Sequence, residues 1–189
     1  YLNAGCCRVE LSSIDYDICL SFAEHVYATN QKEYFRRNQA DRAMIIRQIV
    51  VGKLAELSVF EYLQGLNLAP EFPDFTVYRG ADKNFGADTV FAYQSLEVQC
   101  HIKSQEVQQG NLYSQSWLFQ RYQDPLVLYP AKHANDILAF VQMDGLVADI
   151  LGFVWVPEVS SCFSEPRLPR LRDNKVALYL SDLKTAGVL

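Results

Sequence analysis

The sequence predicts an α/β (α+β) fold, a central mixed β-sheet flanked by helices, and three observations carry that prediction. Two long segments with helical periodicity come first. Beyond Pro70 and Pro73 the apolar spacing contracts to short, strand-like runs. Within these, "LEVQCHIKSQ" at 96–105 alternates Leu96, Val98, Cys100 and Ile102 with Glu97, Gln99, His101 and Lys103, the period of a half-buried strand. Helices followed by a run of strands pack as a layer of helices on one sheet.

The first predicted helix runs from about Asp15 to Arg37, opened by the Ser and Asp capping candidates of "SSIDYD". The second lies within "QADRAMIIRQIVVGKLAELSVFEYLQGLNL". There Ile46, Ile49, Val50, Leu57, Phe60 and Leu63 form one apolar stripe at three- and four-residue steps, and Gly65 is the predicted C-cap. Its internal Gly52 costs on the order of 1 kcal/mol relative to alanine, which either a close backbone approach or ordinary packing would explain. The predicted strands are 75–78, 88–93, the alternating segment, 136–144 and 148–159, with "MDGLVAD" as a hairpin turn. In the polar, aromatic-rich 107–135 region, Trp117 and Phe119 are read as part of a helix docking on the sheet. The tail "KVALYLSDLKTAGVL" reads as a last strand and a helical turn.

A chain of 189 residues, half of them hydrophobic and 21% charged, suits one domain over 1–189, helical to about 66 and sheet-based from about 70. A net charge of −5 argues against non-specific coating of nucleic acid but leaves room for local basic patches. The five cysteines are odd in number and lack zinc spacing, which favours a reducing, intracellular and cytoplasmic setting over a disulfide framework. No apolar run is long enough to span a bilayer.

The chemistry concentrates on the alternating strand. In a hairpin centred on Gln94–Ser95, residues equidistant from the turn pair across the ladder. Asp88 then faces roughly His101, and Lys103 stands one same-face step, about 6.6 Å, further on. Glu56 borders the apolar stripe of the second helix. A divalent cation on oxygen ligands polarises a phosphoryl group and acidifies bound water. A neighbouring lysine orients or deprotonates that water and neutralises charge on the phosphate.

These residues resemble the PD-(D/E)XK nuclease superfamily, of restriction, homing or phage type. The resemblance rests on "PDF" at 73–75, "GAD" ending in Asp88, "HIK" at 101–103 and the helix bearing Glu56. It implies a restriction-endonuclease-like core and Mg²⁺- or Mn²⁺-dependent hydrolysis of double-stranded DNA. Asp88 would be the principal metal ligand, the carbonyl of Ile102 a further ligand, Glu56 the auxiliary acid and Lys103 the water-positioning lysine. Asp74, in the literal "PD", ranks below Asp88. Where the family carries an acid or Gln, this chain has His101. Either His101 binds the ion and shifts its preference toward Mn²⁺ or Zn²⁺, or it acts as a base, or the site has decayed and the protein binds DNA or assembles without cutting. An exonuclease or junction-resolving enzyme is a third reading.

Arg36, Arg37 and Arg42 lead into the second helix, and Arg167, Arg170 and Arg172 form a second basic run. With Arg121 and Gln105 they are the candidate nucleic-acid contacts. His25 and His133 have no nameable partner and read as incidental. One active site per chain and two strands to cut imply a homodimer or higher homo-oligomer.

Overall fold

A computed structural model describes residues 6–36, 39–79, 86–107 and 115–189. Among the described residues seven strands are formed: β1 (Cys7–Glu10), β2 (Thr89–Tyr93), β3 (Leu96–Glu106), β4 (Ser116–Gln120), β5 (Asp136–Asp144), β6 (Val147–Trp155) and β7 (Lys175–Tyr179). Five helices accompany them: α1 (Ser13–Arg36), α2 (Arg42–Gly65), α3 (Pro125–Leu128), α4 (Val156–Val159) and α5 (Leu180–Thr185). The main sheet is five-stranded and mixed, in the order β1-β6-β5-β3-β2. Among these strands only β3 and β5 run parallel, and the chain between them carries β4, which pairs with the later β7 in a second, two-stranded sheet. The mixed sheet flanked by helices is thus the architecture the sequence predicts.

Each face of the sheet has its own core. On one face, Val98 and Cys100 of β3 and Ile137, Ala139 and Val141 of β5 pack against Val50, Leu54 and Leu57 of α2. On the other, Leu138 and Phe140 are covered by Trp117 and Phe119 of β4 and by Leu126, Val156 and Leu178. A central strand buried on both faces needs apolar side chains in both registers, and the unbroken "ILAFV" of β5 supplies them. β6 instead changes register: Phe140 pairs with Gly152 but Val141 pairs with Ile150, a bulge that skips Leu151. Ile150 therefore joins the α2 core while Leu151 packs against the other, as an inserted residue requires.

Local chemistry sets the element ends. Asp41 caps α2, its carboxylate accepting from the Met44 N–H at 3.0 Å. α1 is interrupted at Asn30 (φ −112°, ψ 15°), whose side-chain amide donates to the carbonyls of Val26 and Tyr78 at 3.1 and 2.9 Å. The β2–β3 hairpin closes through Gln94 and Ser95, with φ of 50° and 65°, the two-residue turn whose twist matches paired strands. Gly145, at φ 61°, closes β5 onto β6.

Five expectations are corrected. Residues 75–78 form no strand, because the Asp74 carboxylate takes the Thr76 N–H (2.8 Å) and the Tyr78 hydroxyl (2.7 Å) in a side-chain-capped turn. Gly65 is still helical; Leu66 is the C-cap, and Asn67 takes the left-handed position at φ 58°. Trp117 and Phe119 lie on a strand and not on a helix, since their alternate spacing sends both to the same core. The strand predicted to 159 ends at Trp155, and Pro157 sits in the first turn of α4, a position where its missing N–H costs nothing. The N-terminal part is also not purely helical, because β1 extends the main sheet along β6.

A Cβ added to Gly52 would meet no atom within 4 Å beyond its own helix, so neither close approach nor packing accounts for the glycine. Gly52→Ala is expected to stabilise the fold by about 0.5–1 kcal/mol, measurable as a raised urea midpoint with an unchanged slope.

Candidate functional site

β2 and β3 are in register from Tyr93–Leu96 to Thr89–Cys100, so Asp88 stands one step past the last pair, level with His101. Its N–H donates to the Cys100 carbonyl at 2.9 Å. Its carboxylate Oδ2 accepts from the Ile102 N–H at 2.7 Å. The side chain thus continues the ladder where the β2 backbone has left it, and the carboxylate is pinned to β3. In an extended strand the N–H and C=O of a residue point to the same edge, so the Ile102 carbonyl faces this same edge.

His101 and Lys103 occupy the face of β3 opposite α2, because Val98, Cys100 and Ile102 occupy the α2 face. The Lys103 ammonium lies 3.9 Å from Asp124 Oδ2 and 4.7 Å from the centre of the Phe119 ring. Asp124 is nearly fully buried and its other oxygen caps α3 through the Leu126 N–H at 3.1 Å. The lysine is therefore restrained by a cation–π contact and a buried carboxylate. Parallel pairing sets Lys103 beside Phe140 on β5.

His101 is 5% exposed. Its Nε2 lies 3.1 Å from Asp136 Oδ2, the same oxygen that lies 2.6 Å from His133 Nδ1. Burial lowers the pKa of His101 against the opposing pull of the Asp136 hydrogen bond and the Asp88 charge, with the Lys103 charge lowering it further. Desolvation penalises the imidazolium more than two carboxylates favour it. Burial thus shifts the balance of the His101 ring toward its neutral form.

Glu56 lies on α2. It pairs with Lys53 one helical turn away, and Lys53 also donates to the Asp74 carbonyl at 2.8 Å and lies over the rings of Phe22 and Phe75. The Glu56 charge contributes to raising the buried Cys19 thiol to about 12, after burial and Asp15. Glu56 thus lies in the helix layer, on the side of β3 opposite His101 and Lys103. The reason is rotational: the border of the α2 stripe that carries residues 53 and 56 is turned toward α1 and the 74–78 turn.

The polar contacts predicted for DNA divide in the same way. Gln105 accepts the Ser116 N–H at 2.8 Å, tying β3 to β4. Arg121 pairs with Glu165 and donates to the Lys175 carbonyl at 3.2 Å, so it joins β4 to β7 and is turned inward. Arg36 and Arg42 are exposed and pair with Glu33 and Glu24. Arg167 stacks over Tyr179 at 4.0 Å, Arg172 donates to the Pro166 carbonyl at 3.0 Å, and Arg170 is exposed. Arg37 lies outside the described residues.

Sequence reasoning missed three polar residues beside β3: Asp124, His133 and Asp136. His133 is not incidental. Two faint signals were present: "DP" at 124–125 is an N-cap followed by an N1 proline, and His133 and Asp136 are three residues apart. Neither signal names β3 as the partner, since both contacts join β3 to segments 21 and 35 residues away.

Asp88 and the Ile102 carbonyl are hard oxygen donors on one edge, which suits Mg²⁺ or Mn²⁺ retaining several waters. His101 is turned onto Asp136. No helix among the described residues is long and apolar enough to cross a membrane. No protein-family model matches the chain, and no curated protein matches its sequence. Among solved structures the chain is similar to Archaeoglobus fulgidus Hjc, a Holliday junction resolvase from an archaeal hyperthermophile. That match covers 73% of this chain and 97% of the other at 10% identity and a TM-score of 0.41. A likeness of that size carries no inference about activity, which rests on the side chains themselves.

Proposed function

We propose that the protein is a divalent-metal-dependent endonuclease that hydrolyses phosphodiester bonds of double-stranded DNA. One observation carries the reading: Asp88 is pinned by its carboxylate to the Ile102 N–H at 2.7 Å, on the strand whose next residue is Lys103. That contact supports taking Asp88 and the neighbouring Ile102 carbonyl as the oxygen donors of the site, with Lys103 following directly in the chain. Asp88 and the Ile102 carbonyl would hold the ion, and Glu56, neutralised by Lys53, is outside the ligand set. Bound there, the ion supplies Lewis-acid polarisation of the phosphoryl oxygen and acidifies water. Lys103 orients the attacking water and offsets charge building on the phosphate. Asp124 positions the Lys103 ammonium, and the exposed Arg36, Arg42 and Arg170 contact the DNA backbone. Two copies of the chain related by a two-fold axis would place one site on each strand.

The test is a cleavage assay on plasmid, linear and branched DNA with Mg²⁺, Mn²⁺ or Zn²⁺. Cleavage of closed-circular plasmid with Mg²⁺ or Mn²⁺ and its loss on chelation is the expected result. Products only from free ends would replace the endonuclease with an exonuclease, and products only from branched DNA with a junction enzyme. A second reading is favoured by two contacts: Glu56 is bound by Lys53 and His101 by Asp136. On that reading the site has decayed, and the protein binds DNA or a partner without cutting. DNA binding with no cleavage under any metal or pH would decide for it.

A further inference from the structure

His101, His133 and Asp136 take no part in the hydrolysis just described, yet three elements converge to put them together. His101 comes from β3, His133 from the 3-10 turn at Pro130–His133, and Asp136 from the first residue of β5. Each offers one ligand atom, and the three atoms lie within 4.8 Å of one another. We propose that this cluster is a second, separate binding site for a first-row transition-metal dication of the Zn²⁺ class. His101 Nε2, His133 Nδ1 and the Asp136 carboxylate are its protein ligands, with a water in the fourth position.

The donor set selects the ion. Two imidazoles and one carboxylate suit Zn²⁺ or Co²⁺, whereas Mg²⁺ favours oxygen alone. The spacing is close to what coordination needs. Ligands about 2.1 Å from a tetrahedral ion stand about 3.4 Å apart. Asp136 Oδ2 now lies 3.1 Å from one nitrogen and 2.6 Å from the other, so small ring rotations open the site. The two rings meet edge to face at 81°, with centroids 6.3 Å apart, which leaves the nitrogens converging on the carboxylate and not stacked. Asp136 and His101 are buried, while the His133 side chain is 23% exposed and leaves a route for the ion. Occupied, the site would clamp β5 and the 3-10 turn to β3, two residues before Lys103. This inference does not depend on nuclease activity.

The experiment uses the full chain without DNA. Zn²⁺ is titrated by calorimetry and Co²⁺ by its visible d–d absorption, which is intense only for a tetrahedral site. Wild type is expected to bind about one equivalent of Zn²⁺ and to melt at a higher temperature with it, because only the folded state assembles the ligands. Asp136→Asn keeps the side-chain shape, and His133→Ala removes the most exposed ligand; each should weaken Zn²⁺ binding about 100-fold or more. Asp88→Asn and Lys103→Ala remove charges near His101 but no ligand, and should change Zn²⁺ binding far less than either ligand substitution. Absence of stoichiometric binding by wild type, unaltered binding in His133→Ala, or loss of binding in Asp88→Asn would each overturn the proposal. Failure of DNA cleavage alone would bear on the nuclease reading and not on this one.

Discussion

Lys103→Ala is expected to lower the rate of metal-dependent DNA cleavage by about 10²–10⁴-fold while DNA binding changes little. A positioned amine that assists proton transfer and neutralises a developing phosphorane contributes on that scale, whereas one exposed backbone contact contributes far less. The position explains why the lysine is suited to the task. Its ammonium is held 3.9 Å from the buried Asp124 and 4.7 Å from the Phe119 ring centre, so it is restrained before substrate arrives. Removing it also leaves Asp124 buried without a cation. The mutant must therefore be compared by circular dichroism and thermal melting, and Lys103→Met, which keeps the aliphatic packing, separates chemistry from folding. Asp88→Asn should cause a similar loss. Asparagine can still accept from the Ile102 N–H but brings no negative charge to an ion, so the strand end keeps its shape. Cleavage persisting in folded Lys103→Met and Asp88→Asn would remove the endonuclease reading.

Phe140→Ala is expected to cost about 3–5 kcal/mol of stability, or roughly 6–20 °C in melting temperature for a chain of this size. Phe140 is fully buried, its ring centre 4.5 Å from that of Trp117. It sits in the core between the five-stranded sheet and the β4–β7 pair, where deletion of a ring leaves a cavity that flanking strands cannot close without sliding. Phe140 also pairs with Lys103 across β3 and β5, so cleavage should weaken in this mutant even below its melting temperature. Urea denaturation measures the loss; a value below about 1 kcal/mol, the size of a surface substitution, would mean that the β4–β7 layer does not close over Phe140.

The alternating segment at 96–105 was legible because its period of two is a local property that no tertiary contact is needed to read. The same holds for the stripe of α2, for the turn at Gln94–Ser95 and, through it, for the register that brings Asp88 level with His101. Hairpin register follows from turn length, so a pair of residues thirteen apart can be matched on paper. Where a short polar side chain competes with the backbone the pattern misleads: 75–78 has the composition of a strand, but Asp74 captures its hydrogen bonds. Trp117 and Phe119 sit in a run of about five residues, too short for periodicity to separate a strand from a helix.

What the sequence determined by itself was the pair of long helices ahead of the main sheet strands, the face of β3 that is polar, and the register of its hairpin. Only the tertiary structure decided the company those polar residues keep. His101 turns to Asp136, and Lys103 to Asp124. The physical reason is sequence distance: a hairpin or a helical turn is set by neighbours, whereas the parallel pairing of β3 with β5 joins segments 35 residues apart. No local periodicity encodes which residue of one will meet which residue of the other.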